Sequence, residues 1–435
     1  MRGGAGARPV RRFPDGFRWG VATSALQVEG SPDADGRGPS IWDDFAGEGG
    51  ELVGEATDHY RRWPEDVQLL ASLGVNTYRF SLAWPRLFPD GRRREQRGFD
   101  HYDRLLDGLL DRGIEPLVTL YHWDLPRPLD WRDRDTAERF AEYAAAAFDA
   151  YADRVPRWVT INEPWIIGLL GYQLGLHAPG VADLRASVEA MHHVLLAHGL
   201  AAGQLGARGE VGVAHSLFPH YPETPGDEVA ARLSDGYVNR WFLDPVERGR
   251  YPDDLRALYE ERLGGLDVVR DGDLETISSR SDFIGVNYYT RRVIRSAPGR
   301  EPFPWEVVTL GDRPMTGGNW EIVPEALTDL LLRLRDDYPD RYVLITENGG
   351  IFPEPLHDAG RIDYLRSHLA ALHDAIAQGA DVRGYYHWSF LDNFEWALGY
   401  EPRFGLVHVD YETQARTVKD SGRWFARVAA ANALA

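Results

Sequence analysis

The sequence predicts an α/β fold of the (β/α)8 TIM-barrel type, built as a single domain with long βα loops. Short apolar runs alternate with longer helical patterns along the chain, and eight such runs can be counted. Alternation of this kind is typical of a parallel sheet, and eight repeats favour a closed barrel. An open doubly wound sheet is the alternative, but no Gly-x-Gly-x-x-Gly turn follows an early strand.

The predicted strands are β-branched or aromatic and are bounded by turn residues. They are Arg18–Ala22, Thr77–Phe80, Leu117–Tyr121, Trp158–Ile161, Val211–His215, Phe283–Val286, Tyr342–Thr346 and Gly384–His387. The predicted helices carry apolar residues at three- and four-residue spacing. They include Pro64–Leu73, Tyr102–Arg112, Thr136–Ala152, Val188–Gln204, Pro324–Asp337 and Tyr364–Gln378.

The ends and one internal segment have a different composition. Residues 1–12 are rich in Gly and Arg and are predicted to form a flexible tail, which leaves residues 13–435 for the barrel domain. The segment Ser296–Asn319 is rich in Gly and Pro and is predicted to be a long loop. Long loops in compact domains are often functional.

Composition and charge exclude several classes of partner. The chain has 48 Lys and Arg against 67 Asp and Glu, a net charge of −19. This balance argues against nucleic acid and against an anionic membrane as partners. The basic N-terminus lacks the apolar stretch of a secretory signal, and no run of about 18 apolar residues exists. We therefore expect a cytoplasmic protein, either a monomer or a homo-oligomer.

Neither a metal nor another cofactor is expected. The chain contains no cysteine, which excludes disulfides and thiolate metal sites. The cluster of His192, His193 and His198 does not have the spacing of a His-Glu-x-x-His helix, so an ordinary barrel helix explains it better. Asp392 and Asn393 resemble cation ligands, but a capped turn after the eighth strand is the simpler interpretation.

Polar and aromatic side chains are concentrated where the predicted strands end. In a (β/α)8 barrel the carboxyl ends of all strands meet at one rim, where active sites of this fold lie. In chain order these rim residues are Gln27, Arg79, His122, Trp123, Asn162, Glu163, Asn287, Tyr289, Glu347 and Trp388. Such a concentration predicts a site for a polar ligand.

Two carboxylates in this set suggest a chemistry. Glycoside cleavage needs a pair of them, one to protonate the leaving oxygen and one to attack the anomeric carbon or activate water. Glu163 and Glu347 follow the fourth and seventh strands, which lie on roughly opposite sides of a barrel. Either glutamate alone is as readily explained by a salt bridge, but two of them among the other polar and aromatic residues at the strand ends favour catalysis.

Longer motifs around these residues resemble a known family. They are Thr-Ile-Asn-Glu-Pro-Trp at 160–165, Asp-Phe-Ile-Gly-Val-Asn-Tyr-Tyr-Thr at 282–290, Ile-Thr-Glu-Asn-Gly at 345–349, Trp-Ser-Phe-Leu-Asp-Asn-Phe-Glu-Trp at 388–396, Arg-Phe-Gly-Leu at 403–406 and Val-Asp-Tyr at 409–411. In this order the chain, from Phe13 to about Phe425, resembles the family 1 glycoside hydrolases, the β-glucosidase and β-galactosidase family.

The resemblance implies a role for each motif. Glu163 corresponds to the acid/base and Glu347 to the nucleophile of a retaining β-glycosidase that forms a covalent glycosyl-enzyme. Arg79 and Tyr289 are expected to keep Glu347 ionised, and the charge of Glu347 is expected to raise the pKa of Glu163. The implied glycone pocket contains Gln27, His122, Trp123, Asn162, Asn287, Tyr289, Trp388, Glu395, Trp396 and Phe404. The implied leaving-group side contains Trp165, His177 and Trp320.

The implied substrates are small β-glycosides or β-linked oligosaccharides, such as those released in cellulose degradation. The resemblance favours a β-glucosidase with β-galactosidase or β-fucosidase side activity.

The chain departs from the family pattern at Leu26, Ile161, His387 and Gly350, near the site but at no catalytic position. A sugar-binding protein without activity would normally have lost one carboxylate. A transglycosylase shares the same covalent intermediate and remains an alternative. A nucleotide-dependent enzyme is a weaker alternative, because this sequence contains no phosphate-binding loop.

Overall fold

A closed barrel of eight parallel strands forms the centre of the computed structural model, which describes residues 10–47 and 50–434. Labelled β1 to β8 in chain order, the strands are Arg18–Ala22, Thr77–Ser81, Glu115–Tyr121, Arg157–Asn162, Glu210–Ser216, Phe283–Tyr288, Tyr342–Asn348 and Val382–Trp388. Each strand pairs with the next, and β8 pairs with β1 to close the ring. The predicted barrel and its eight strands are confirmed.

Helices fill the connections between successive strands. Those of seven residues or more are His59–Ser72, Gln96–Leu110, Asp135–Tyr151, Leu184–Leu205, Glu228–Asp235, Trp241–Arg248, Asp253–Leu263, Pro324–Asp337, Ala359–Ala377, Asp420–Ala431 and the π-helix Ile167–Gln173. All six predicted helices are found, but most begin earlier than predicted. The helix predicted from Tyr102 begins at Gln96, because its polar first turn is capped by the Glu95 carboxylate. None of the described helices combines the length and apolarity needed to cross a bilayer.

Two predictions about irregular segments were wrong in part. Arg11–Arg12, assigned to the flexible tail, form a short strand antiparallel to Ala433–Leu434 near the C-terminus. Residues 1–9 lie outside the described part of the chain. The predicted loop Ser296–Asn319 contains the strand Trp305–Val308, which pairs with Arg292–Ser296 as a hairpin. The first pairing joins two-residue strands at opposite ends of the chain, and the hairpin pairs only four residues on each side. Segments this short show no hydrophobic periodicity from which a strand can be predicted.

The remaining strands are short and lie outside the barrel. They are His220–Pro222, which extends the hairpin sheet, Met315–Thr316 with Trp320–Glu321, and Val407–Val409 with Arg416–Val418.

Side chains alternate between the two faces of the barrel wall, as the two-residue period of a strand requires. On β2, Tyr78 and Phe80 belong to the core between the barrel and its helices. Their neighbour Arg79 faces the opposite way and reaches Glu347 on β7, across the barrel interior. Below that level the interior is packed with apolar side chains such as Leu117, Val159, Phe283 and Leu344. The polar residues at the rim therefore lie directly above a layer of apolar side chains that fills the barrel interior.

Candidate active site

Irregular strand pairing turns the functional residues toward the centre of the rim. The register of β7 shifts just before Glu347 against β6, where Glu347 becomes the partner of Asn287. On β4 the register shifts between Val159 and Asn162. Such irregularities bend a strand and re-aim its side chains, and they are common beside active sites. Side chains from β4, β6 and β7 therefore converge over the barrel axis.

Glu347 is held at both of its oxygens. Its Oε1 accepts a hydrogen bond of 2.6 Å from the Arg79 guanidinium, and its Oε2 accepts one of 2.6 Å from the Tyr289 hydroxyl. Burial raises the pKa of Glu347, while the charge of Arg79 and the Tyr289 hydrogen bond oppose that rise. The two partners favour the ionised form and fix the orientation of the carboxylate.

Glu163 has a different environment. Burial and the neighbouring charge of Glu347 raise the pKa of Glu163 to about 8. Its Oε1 accepts a hydrogen bond of 2.8 Å from the Asn287 amide. Of the two glutamates, only Glu347 accepts hydrogen bonds from Arg79 and Tyr289, so these contacts favour a proton on Glu163 over one on Glu347. An unequal pair of carboxyl groups is the arrangement that acid-assisted nucleophilic displacement needs.

The backbone at three site residues adopts a conformation that most side chains avoid. Trp123, Glu163 and Trp396 have φ values of 74°, 50° and 50°. Residues with positive φ cost free energy and persist where the surrounding packing enforces them, commonly at functional sites. Here the left-handed turn at Glu163 lets the helical segment that begins at Pro164 leave the barrel while the carboxyl group stays at the rim.

Asn162 links the pair to the rest of the pocket. Its Oδ1 accepts hydrogen bonds from Arg79 at 2.6 Å and from Asn287 at 3.0 Å. Its amide nitrogen donates to His122 Nε2 at 3.0 Å, which leaves the second amide hydrogen for a ligand. Since Nε2 accepts, the ring proton lies on His122 Nδ1, which has no partner among the described residues. Asn162 and His122 therefore each offer one free donor.

Burial keeps His122 uncharged, because its pKa lies well below the usual value. Its ring lies nearly parallel to those of Trp388 and Trp396, with centroids 5.6 and 5.9 Å away. Glu395 lines the same cavity, and burial together with the charges of Glu347 and Glu163 raises its pKa to about 8. The pocket thus combines aromatic faces with carboxyl and amide groups.

The cavity over the paired glutamates has a volume of about 200 Å³. Twelve predicted site residues line it: His122, Trp123, Asn162, Glu163, His177, Tyr289, Trp320, Glu347, Trp388, Glu395, Trp396 and Phe404. Arg79 and Asn287 lie behind this wall and orient the glutamates through the hydrogen bonds described above.

Besides Arg79 and Asn287, two further predicted site residues do not line the cavity. Gln27 is fully buried, and its amide nitrogen donates to Asn393 and to the carbonyl of Phe394. It therefore supports the loop that carries Glu395. Trp165 is buried behind Phe218, with ring centroids 5.8 Å apart, so that Phe218 and not Trp165 faces the cavity.

Sequence reasoning missed five residues of the cavity wall: Ile166, Leu170, Ser216, Phe218 and Leu398. Ser216 ends β5, so the rule that selected the other rim residues would also have found it. The other four are apolar and lie in long connections outside the strands, where nothing in the local sequence distinguishes them from core residues.

Comparisons with known proteins agree with the fold and with the motifs. The profile of the family described as Glycosyl hydrolase family 1 matches residues 10–434. Beta-glucosidase A of Thermotoga maritima is 41% identical, with 98% of this chain and 99% of the relative covered. A bifunctional beta-D-glucosidase/beta-D-fucosidase of Bifidobacterium breve is 42% identical, with 95% of this chain and 97% of the relative covered.

Solved structures give the same result. The family 1 β-glucosidase from Thermotoga maritima in complex with isofagomine lactam superimposes with a TM-score of 0.92 at 40% identity, with 98% of this chain and all of that chain covered. Match lengths and identities of this size establish membership of a family. The chain belongs to glycosyl hydrolase family 1 and is a glycoside hydrolase.

Proposed function

We propose that the protein is a retaining β-glucosidase that removes terminal non-reducing β-D-glucosyl residues, with Glu347 as nucleophile and Glu163 as acid/base. The observation that carries the proposal is the unequal environment of the two glutamates. Arg79 and Tyr289 stabilise the charge of Glu347, whereas burial and the charge of Glu347 keep the proton on Glu163. The T. maritima relative, a β-glucosidase that binds isofagomine lactam, supports the same substrate class.

In the first step the ionised carboxylate of Glu347 attacks the anomeric carbon. The bond between that carbon and the glycosidic oxygen breaks, and Glu163 donates its proton to the departing oxygen. Asn162 is suited to donate its free amide hydrogen to the sugar 2-hydroxyl, a contact that strengthens as positive charge develops on the ring. The products are the free aglycone and a glycosyl ester on Glu347.

In the second step the same residues act in reverse. Glu347 is now a neutral ester, so Glu163 no longer has a negatively charged neighbour and its pKa falls. Glu163 then removes a proton from water, and the water oxygen attacks the anomeric carbon as the ester bond breaks. Two displacements restore the original β configuration.

The cavity favours a sugar with a free 6-hydroxyl. It is lined by three carboxyl groups, Glu163, Glu347 and Glu395, and by no Lys or Arg among the described residues. Lys419, the only lysine of the chain, is buried against Asp392 at 2.8 Å. A 6-phosphate would add about −1.5 to −2 charges with no cation to meet them. Glu395 can accept hydrogen bonds from hydroxyls without fixing the configuration at position 4, so we infer β-galactosidase and β-fucosidase side activity.

The test is a kinetic panel of nitrophenyl β-glycosides that differ only in the sugar. We expect the highest kcat/KM with the glucoside or fucoside, a lower value with the galactoside, and little activity with the glucoside 6-phosphate. Equal values for the glucoside and its 6-phosphate would contradict the assignment of Glu395. Absence of activity on every β-glycoside would contradict the proposed function itself.

A further inference from the structure

The only lysine of the chain lies against a loop that closes one side of the catalytic cavity. Of the 48 Lys and Arg residues, all but this one are arginine. The Lys419 side chain is fully buried, and its Nζ donates to Asp392 Oδ1 at 2.8 Å. Asp392 belongs to residues 389–399, here called the β8 loop, which follow β8 and contribute Glu395 and Trp396 to the cavity wall. Lysine at this buried position is therefore an exception to the cation that the chain uses everywhere else.

Asp392 joins the β8 loop to the chain segment that follows it. Its Oδ1 accepts the Gly405 N–H at 2.9 Å in addition to the Lys419 ammonium. Its own backbone N–H donates to the Val407 carbonyl at 2.9 Å. Gly405 directly follows Phe404, which lines the cavity. A single carboxylate therefore fixes two parts of the cavity wall relative to each other.

Two other side chains reach Asp392, but their contacts are longer and partly open to water. Arg403 and His408 lie 3.4 and 3.3 Å from its Oδ2, and both side chains are 25% exposed. Lys419 makes the shorter contact, and its backbone N–H donates to the Leu406 carbonyl at 2.9 Å, which fixes the position of the lysine itself. The Lys419 ammonium is therefore the main partner of the Asp392 charge.

The ion pair supplies direction more than stability. Burial lowers the pKa of Lys419 to about 8, so the charged form bears a desolvation cost that the charge of Asp392 offsets only in part. Replacing a buried ion pair by well-packed apolar side chains is often neutral or stabilising, so stability alone does not explain the pair. A lysine has three donors on a compact ammonium, whereas an arginine would bring five donors into the same enclosed space. Lysine therefore suits a position beside one buried carboxylate.

The backbone between Asp392 and the cavity is held by further hydrogen bonds. Gln27 Nε2 donates to Asn393 Oδ1 at 3.0 Å and to the Phe394 carbonyl at 2.6 Å. Glu395 follows directly and lines the cavity. Because this short stretch is bonded along its whole length, a shift of Asp392 must move Glu395 as well.

We propose that Lys419 is a positioning residue for sugar recognition, which holds Glu395, through Asp392, at the place where the carboxyl group meets the sugar 6-hydroxyl. This inference rests on the proposed β-glucosidase function and adds to it a residue outside the cavity that determines specificity. Lys419 lines no part of the cavity and contacts neither catalytic glutamate. Its loss should weaken recognition of one hydroxyl and leave the two chemical steps in place.

The experiment uses nitrophenyl β-glucoside and its 6-deoxy and 2-deoxy analogues. The 6-ratio is kcat/KM for the glucoside divided by kcat/KM for the 6-deoxy analogue, and it reports the contact with Glu395. The 2-ratio is defined in the same way with the 2-deoxy analogue, and it reports the contact with Asn162 on β4. In the wild type both ratios should be about five or more, because each missing hydroxyl leaves a buried polar group without its partner.

Two variants separate positioning from general damage to the fold. Lys419→Met removes the ammonium but keeps a long side chain, so the 6-ratio should fall toward one while the 2-ratio stays at its wild-type value. Arg240→Met is the matched control, because Arg240 is also buried and ion-paired, with Asp235 at 3.0 Å, and does not line the cavity. Both ratios should keep their wild-type values in this control.

A buried carboxylate that loses its main partner can prevent folding, so thermal melts accompany the kinetics. If Lys419→Met does not fold, the double variant Asp392→Asn with Lys419→Met takes its place. It removes both charges of the pair, and the Asn oxygen can still accept the Gly405 N–H. Its 6-ratio should also lie below that of the wild type, because the ammonium that directs residue 392 is gone.

The outcomes distinguish failure of the inference from failure of the proposed function. If the wild type does not hydrolyse nitrophenyl β-glucoside, the proposed function fails and the inference fails with it. If it does, a wild-type 6-ratio of one overturns the inference alone, because Glu395 then makes no use of the 6-hydroxyl. A folded Lys419 variant with an unchanged 6-ratio, or with equal falls in both ratios, would also overturn it. So would an equal fall of the 6-ratio in Arg240→Met.

Discussion

Removal of the positive charge beside the nucleophile is the most informative single change in the site. Arg79 is fully buried, and its guanidinium donates to Glu347 Oε1 at 2.6 Å and to Asn162 Oδ1 at 2.6 Å. Arg79→Met deletes the charge and both of these hydrogen bonds, together with those to the Thr119 hydroxyl and the Thr346 carbonyl. Arg79→Lys keeps the charge, but an ammonium group lacks the planar guanidinium geometry that allows Arg79 to contact Glu347 and Asn162 at the same time.

The magnitude follows from the ion pair. Two unit charges about 4 Å apart at an effective dielectric of about 20 interact by about 4 kcal/mol. If structural relaxation and water replace half of this interaction in Arg79→Met, the ionised form of Glu347 loses about 2 kcal/mol of stabilisation. This corresponds to a decrease of about 30-fold in kcat/KM. The loss applies at acidic pH, where Glu347 must give up a proton to react, and it shrinks as the pH rises.

The pH profile of kcat/KM with an activated aryl β-glucoside measures this effect. In Arg79→Met the acid limb should move to higher pH, because Arg79 opposes the rise in the pKa of Glu347. The basic limb should move in the same direction by less, since Arg79 lowers the pKa of Glu163 by its charge alone, whereas it also donates a hydrogen bond to Glu347. Arg79→Lys should keep the acid limb in place while losing activity at every pH.

Thermal melts must show that each variant is folded. If Arg79→Met does not fold, Tyr289→Phe provides the same test, because it removes one hydrogen bond from ionised Glu347 and should also move the acid limb upward. A loss of activity that is the same at every pH, in a folded protein, would refute the idea that Arg79 and Tyr289 act by stabilising the charge of the nucleophile.

Two further predictions concern the acid/base and a buried acid beside the pocket. Glu163→Ala should regain activity on azide addition and release the β-glycosyl azide, as NMR of the product would show; the α-azide would reverse the two roles. Asp124 is buried and neither of its oxygens has a partner among the described residues, so burial holds its pKa well above the usual value. An acid with a raised pKa weakens the fold progressively as the pH rises above its unfolded value, about 3.9. Asp124→Asn should therefore raise the melting temperature more at pH 8 than at pH 4, and an equal difference at both pH values would mean that Asp124 does not titrate in this way.

Strand ends explain why much of the site could be predicted from sequence. Arg79, Asn162, Asn287 and Glu347 all lie in barrel strands, so a correct strand assignment brings them to the rim without further information. Ser216 obeys the same rule and was overlooked. Residues fixed by the topology of the barrel are therefore accessible to local reasoning.

Residues in long connections follow a different logic. Glu395 and Trp396 were assigned only through the family resemblance, since their position depends on a loop after β8 that has no periodic pattern. Gln27 faces away from the cavity because hydrogen bonds to Asn393 and Phe394, far along the chain, decide its orientation. Leu398 has no polar signature and gains its place at the mouth from tertiary packing alone.

The covalent intermediate is the most direct measure of the proposed chemistry. Glu163→Ala lacks the general base for the second step, so reaction with an aryl β-glucoside that has an excellent leaving group should accumulate the glycosyl-enzyme. Mass spectrometry of the intact protein should show one added glycosyl unit, and proteolysis should locate it on the peptide that contains Glu347. A sugar on any other peptide, or hydrolysis to the α-anomer with no adduct at all, would contradict a retaining mechanism with Glu347 as its nucleophile.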